Sequence, residues 1–330
     1  MKEEPVLYGV KDTIEALSNV GKAKGSVRPS KLLLAGFAAG AYIAFGFMLA
    51  ITASAGFHPM FHDGQQWYLT IFKILLGAVF PVGLIAVVIG GADLWTGNCQ
   101  IVPLAKMLNK ISFKRVLYNW VTSYTGCFIG SVFLAFLATY ATGLFTPENI
   151  FGQVTEAIAK YKVGLTPWKA FWLGVGCNWL VNVAIWLAVR TKDSAGKILA
   201  IWFPIFAFVA IGFEHSVANM WAIPTGIFLS NHGITWIDYF NNIIPVSIGN
   251  AIGGWLFVAF YYWYLGYSEN PAKEIIDYTV LLLIFVVLML LIPLGIAYAI
   301  ETLVQGAALW LFPVVYGIYG IILAYLTYKW

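Results

Sequence analysis

Gly91-Ala92-Asp93-Leu94-Trp95-Thr96-Gly97-Asn98, with Pro103 beyond it, has a counterpart in Gly212-Phe213-Glu214-His215-Ser216-Val217-Ala218-Asn219, with Pro224 beyond it. Both read Gly-x-[Asp/Glu]-x4-Asn-x4-Pro, and each interrupts a long apolar stretch, 69–108 and 198–230. A carboxylate inside an apolar span costs at least about 2.5 kcal/mol in a bilayer. An acid at the same place in both copies therefore argues for purpose over coincidence. Lipid cannot satisfy backbone polar groups, so breaks of this kind must be buried in protein or line a cavity.

Around these stretches lie further apolar segments at 32–54, 116–142, 167–190, 244–268, 277–299 and 306–328. About 20 residues suffice to cross the hydrocarbon core as a helix. Over 330 residues the chain is 61% hydrophobic and only 10% charged, too little charge to cover a soluble domain. The expected fold is an all-α integral membrane protein with eight spans, two of them broken. The breaks fall in the second and fifth spans, three crossings apart, so the two copies must run in opposite directions. Spans one to three and four to six then form inverted repeats, with the broken helices meeting near the midplane. Cys99, Cys127 and Cys177 lie in or beside apolar segments and suggest neither a disulfide framework nor a metal pair.

Lysine and arginine give the orientation. With the N-terminus inside, fifteen of the 19 fall on inner segments; Lys73, Lys160, Lys162 and Lys169 remain outside. That asymmetry predicts a multi-pass protein of the cell membrane with both termini cytoplasmic. Residues 1–31 hold six of these charges and no apolar signal-peptide core. Val10, Ile14, Leu17 and Val20 recur at helical spacing, which predicts a short amphipathic helix on the membrane surface. The chain divides into this segment, a pore domain over 32–270 and a two-helix extension over 271–330.

Interrupting a helix frees N–H groups at one new end, which together with the half-helix dipole form a weak anion site. Thr96 and Ser216 add hydroxyls there. His215 is the ionisable group at the breaks whose ordinary pKa lies near neutrality. It can act as a cation, or as a neutral donor and proton source that lets a solute cross as the uncharged acid. Asp93 and Glu214 are expected to brace the loops by accepting backbone N–H bonds, because buried carboxylates need partners. Asn178, Asn182 and Asn250 serve either helix–helix hydrogen bonding or pore lining. Lys162, just outside the fourth span, either draws anions into a vestibule or is a solvated loop lysine.

At these residues the chain resembles the formate/nitrite transporter family. Gly212 to Met220 resembles its histidine-containing signature, and Gly91-Ala92-Asp93-Leu94 with Thr96 is similar to its other broken loop. Asn242-Ile243-Ile244-Pro245-Val246 followed by Ile248-Gly249-Asn250 is similar to its last common span. The resemblance covers roughly 5–270 and implies an aquaporin-like six-helix protomer, a homopentamer with one pore per protomer. It also implies conduction of formate, nitrite, hydrosulfide, acetate or lactate, assisted by protons. Under it, His215 is the central histidine with Thr96 and Asn250 as neighbours, and Asn178 sits beside the pore. Leu84 and Phe208 form an inner constriction, Phe80 an outer one, Leu94 belongs to a mobile loop, and Lys162 to the vestibule. Trp95 stands where a smaller phenylalanine is expected and bears on pore width or loop movement. The two spans after 270, joined by a turn carrying Glu301 and Gln305, exceed the family pattern.

The leading expectation is transport of small monovalent weak-acid anions, formate first, with the bilayer and further copies of the chain as partners. A neutral-solute pore for water, glycerol or ammonia is the alternative, since fold does not fix function. A membrane enzyme or assembly subunit is the third reading. His58 and His62 share one outer loop and His232 lies in another, all away from His215, so no metal cluster is expected. Neither a cofactor nor nucleic acid is expected.

Overall fold

A computed structural model of the chain describes residues 7–230, 233–267, 271–304 and 308–330. His232 and Gln305 lie outside the described residues. Among the described residues eight helices are long and apolar enough to cross a membrane, and they match the eight expected spans. The chain is an all-α membrane protein.

Pro29 and Pro167 each open a long helix from its first turn, where a missing N–H costs nothing. They start the membrane crossings of two similar halves. The first comprises α1 (Val10–Ser26), α2 (Pro29–Ser54), α3 (Gln66–Val79), α4 (Val82–Gly90), α5 (Trp95–Met107) and α6 (Phe113–Phe136). The second comprises α7 (Ile150–Val163), α8 (Pro167–Arg190), α9 (Ser194–Ile211), α10 (Ser216–Leu229) and α11 (Trp236–Gly254). A π-helical stretch, Trp255–Phe260, carries α11 into α12 (Tyr261–Gly266).

In each half the first long helix packs closely on the last. A Cβ at Gly40 would run into the Cys127 carbonyl of α6, and one at Gly249 into the Phe171 carbonyl of α8. Glycine is needed at these crossings because helices in lipid associate by close backbone packing, without a hydrophobic drive.

The α11 helix starts at Trp236, well before the expected 244, because Thr235 and Asp238 form a capping box there. The amphipathic helix forms as α1, but protein covers its apolar face. Ile14 and Leu17 are fully buried, and Gly21 lies against the Ile101 carbonyl of α5. It is therefore docked on the bundle, a correction to the expected membrane-surface helix.

The extension is α13 (Pro271–Val286), a π-helical stretch, α14 (Ile292–Leu303) and α15 (Ala308–Lys329). It is bolted to the core at both ends. Lys106 of α5 pairs with Glu274 at 2.8 Å and Asp277 at 2.5 Å. At the other end Glu301, the last-turn residue expected in a bare turn, accepts the Trp236 and Ile237 N–H groups at the start of α11. The Lys114 ammonium lies 5.1 Å from the Trp330 ring, and Lys110 pairs with Glu15 of α1. Both ends of the described chain therefore lie on one side.

Candidate functional site

The two repeated stretches end one helix and begin another in the same way. Gly91 and Gly212 close α4 and α9 with φ of +77° and +94°, a left-handed conformation open to glycine at little cost. The next N–H reaches back five residues, Ala92 to Val87 and Phe213 to Phe208, at 3.0 Å each. That bond is the mark of a helix stop. The Asp93 N–H then donates to Ala35 of α2 and the Glu214 N–H to Leu173 of α8. Leu94 and His215 are the N-caps of α5 and α10. The starts of these half-helices meet where Thr96 Oγ1 lies 2.9 Å from His215 Nε2, and the helices run apart from there.

The tautomer follows from the cap. His215 Nδ1 is 3.0 Å from the Ala218 N–H, which can only donate, so Nδ1 holds a lone pair. The neutral imidazole then carries its proton on Nε2 and donates to Thr96. Protonating Nδ1 would break the cap of α10. The ring is held as a neutral donor, which narrows the two roles left open by the sequence.

Each loop acid is clasped by one lysine and by asparagine amides, one at Asp93 and two at Glu214. Asp93 pairs with Lys24 of α1 at 2.9 Å and accepts from Asn98, whose Oδ1 takes a further bond from Lys24 at 3.0 Å. Glu214 pairs with Lys162 of α7 at 2.8 Å and accepts from Asn219 at 2.6 Å and Asn242 at 3.3 Å. Both acids are buried and so is Lys162. Side-chain cations and amides therefore satisfy the carboxylates, in place of the backbone N–H groups expected. Lys162 is a buried ion-pair partner at the end of a helix, which corrects its reading as a solvated loop lysine.

Two cavities approach this centre from opposite sides. The first, about 690 Å³, opens beside α1 and is lined by Lys24, Leu84, Leu94 and Lys197 among others. The second, about 550 Å³, is lined by Lys73, Phe80, Lys162, Phe208 and His215 among others. They share no lining residue. Phe208 packs edge-on to Phe80 at 5.8 Å on the second side. Of the residues expected to narrow the path, Leu84 lines the first cavity, and Phe208 and Phe80 line the second.

Asn178, Asn250 and Trp95 line neither cavity. Asn178 donates to the Thr96 and Asn250 carbonyls at 3.1 and 2.6 Å. Asn250 accepts the Ser216 N–H at 2.8 Å and donates to the Gly174 and Glu214 carbonyls. Both asparagines hold the half-helix starts from behind. Trp95 turns away from the centre to stack on Phe285 of α13, so its bulk is spent in packing and not on the width of either cavity. Sequence reasoning passed over Lys24, Asn98, Asn219 and Asn242 as site residues. A signal for the first existed, because Lys24 and Lys162 each stand five residues before Pro29 and Pro167, in a Lys-x4-Pro spacing common to both halves. Among the described residues no group of three metal-ligating side chains occurs.

The sequence model described as "Formate/nitrite transporter" matches residues 11–264. The chain is 45% identical over 272 residues to "Probable formate transporter" of Methanothermobacter thermautotrophicus, spanning 78% of this chain and 97% of the relative. Its fold is similar to a solved "FNT family ion channel" with TM-score 0.71 and 29% identity, over 77% of this chain and 98% of that one. It is also similar to "Pentameric formate channel with formate bound" with TM-score 0.60 and 28% identity, over 72% and 97%. With a match over most of its length and a fold similar to solved members, this chain belongs to the formate/nitrite transporter family, one of transporters and channels and not of enzymes.

Proposed function

We propose that this protein passes formate, and with it other small monovalent weak-acid anions such as nitrite, hydrosulfide, acetate or lactate, between the two cavities past His215 and Thr96. The observation that carries this reading is the Thr96–His215 hydrogen bond at the junction of two half-helix starts, with a cavity on either side. Lys197 lines the first cavity and Lys73 the second, and their ammonium groups favour an anion over a neutral solute such as water, glycerol or ammonia.

Between the cavities a charged solute would lose its hydration against Leu84, Leu94, Phe80 and Phe208, which costs far more than passing a neutral one. The anion therefore takes a proton from the water on the entry side, crosses as the neutral acid and releases that proton to the water on the other side. The neutral His215 offers its Nε2–H and Thr96 its hydroxyl, enough to orient a small oxyacid without trapping it. Asp93 and Glu214 act as loop scaffolds, and Asn178 and Asn250 as props. The pore domain is 32–270, preceded by the segment 1–31, whose α1 docks on its cytoplasmic face, and followed by 271–330 as an extension. The excess of lysine and arginine on the side of both termini supports a cytoplasmic placement of that side. The similarity to a pentameric channel supports a homopentamer. The test is a competition flux assay in proteoliposomes with formate, nitrite, hydrosulfide, acetate and lactate at two pH values. Formate flux that rises as outside pH falls is expected; osmotic water or glycerol flux with no anion dependence would overturn the reading.

A further inference from the structure

Trp95 stands between two residues of the proposed path. Leu94 before it lines the first cavity, and Thr96 after it bonds to His215. The indole of Trp95 points elsewhere, into a box of three rings. It stacks on Phe285 at 5.2 Å and meets Tyr124 and Trp120 edge-on at 4.9 and 5.8 Å. All four residues are completely buried. Phe285 also meets Trp120 and Tyr124 edge-on, at 5.4 and 5.3 Å, which closes the box.

Phe285 lies in α13, beyond the residues matched by the family. The same helix holds α5 at two further levels. Tyr278 donates its hydroxyl to the Cys99 carbonyl at 3.3 Å, and Glu274 and Asp277 grip Lys106. The α13 helix is thus laid along α5 from its last turn to its first. The two cavities share no lining residue, and Leu94, two residues before Thr96, lines the first, so the proposed passage on that side runs past Leu94 and is eased when it withdraws. The loop can turn at Gly91, but Leu94 is joined to Trp95, and Trp95 is fixed in its box.

We infer that α13 is a stay for the pore loop, and that Phe285 is a positioning residue which sets, through Trp95, how readily Leu94 leaves the path. This inference rests on the proposed passage of solute past Leu94. An aromatic stack outside the matched region then adjusts a barrier inside it, leaving the groups that meet the solute unaltered.

The experiment uses the full chain carrying Leu94→Cys in proteoliposomes, with and without Phe285→Leu. A membrane-impermeant thiol reagent is applied on the side of the first cavity. The native Cys99, Cys127 and Cys177 are buried and give a silent background. Losing the stack should speed labelling by roughly tenfold, the fold-change that about 1.4 kcal/mol of aromatic pairing converts to. Trp95→Phe, which thins the same stack, should shift the rate in the same direction, and Phe285→Tyr should keep it slow. Glu301→Gln loosens the far end of the extension and should leave the rate unchanged, which separates a stay from general loosening. Equal rates with and without Phe285→Leu, in protein of equal monodispersity, would overturn the inference. Formate flux in the same vesicles tells the two readings apart. Faster labelling with no formate flux in either protein keeps the stay and removes the transport reading, whereas flux with unchanged labelling does the reverse.

Discussion

His215 does two things at once, capping α10 through Nδ1 and reaching Thr96 through Nε2, and substitutions can separate them. Asparagine is itself a good N-cap, but it is too short to reach Thr96. His215→Asn should melt in detergent within a few degrees of the parent, while formate flux falls by about tenfold at every pH, the worth of one lost donor, and keeps its rise toward low pH, which belongs to protonation of the solute. His215→Ala should lose the cap as well, at about 1 kcal/mol. The ion pairs give a different signature. Removing one partner of a buried pair strands the other, at roughly 3–5 kcal/mol, so Glu214→Gln alone should lower the melting temperature sharply. Glu214→Gln with Lys162→Met should recover most of that loss. At this scale Asp93 and Glu214 were legible because an acid recurs in both copies, and Thr96 and His215 because each sits at a break; the structure puts these last two 2.9 Å apart. Asn98 and Asn219 recur as well, but their grip on the acids was not read from the repeat. What it could not reveal was partnership across distance, since Lys24 meets Asp93 only through the docking of α1. The direction of side chains was equally hidden: nothing local told that Trp95 turns its back on the cavities.

Helix breaks are the easiest elements to read, because glycine, an acid and proline interrupt an otherwise apolar run. Gly91 isolates the backbone cost of such a break. A Cβ there meets nothing within 4 Å, so Gly91→Ala should cost only the left-handed strain, about 1–2 kcal/mol. Gly40→Ala would drive a methyl into the backbone of α6 and should abolish the folded protein in detergent. The contrast, measured by fluorescence-detected size exclusion, separates conformational strain from lost helix contact. Elements rich in charge were harder to read. The α7 helix contains Glu156, Lys160 and Lys162 and looked like an outer loop, yet it occupies in the second half the place of α1 in the first. For α1 the amphipathic period was correct, but periodicity says only that one face is apolar. Whether lipid or protein covers it depends on neighbours far along the chain, here Ile101 and Gly266.

On the scale of the whole molecule, two halves of opposite sense place a lysine, an acid and the repeat's own asparagine on each side of an imidazole–hydroxyl contact, with Asn242 added on the Glu214 side. The arrangement is symmetric in its supports and asymmetric at its centre, where one half contributes Thr96 and the other His215. The crossings, the broken spans and their opposed directions were legible because hydropathy and the lysine count act over the whole length. The fastening of the extension was not, because Phe285, Tyr278 and Glu301 are unremarkable in an apolar helix until their partners are known. The proposed homopentamer should appear as a mass of five chains in native mass spectrometry. The most direct test of the account is formate flux into proteoliposomes across a range of outside pH, in the parent and in His215→Asn. Flux should climb as the outside is acidified in the parent, and follow the same rise at about a tenth of the height in the variant, the worth of one lost donor. A parent profile that does not rise with acidity, or undiminished flux in the variant, would contradict this mechanism.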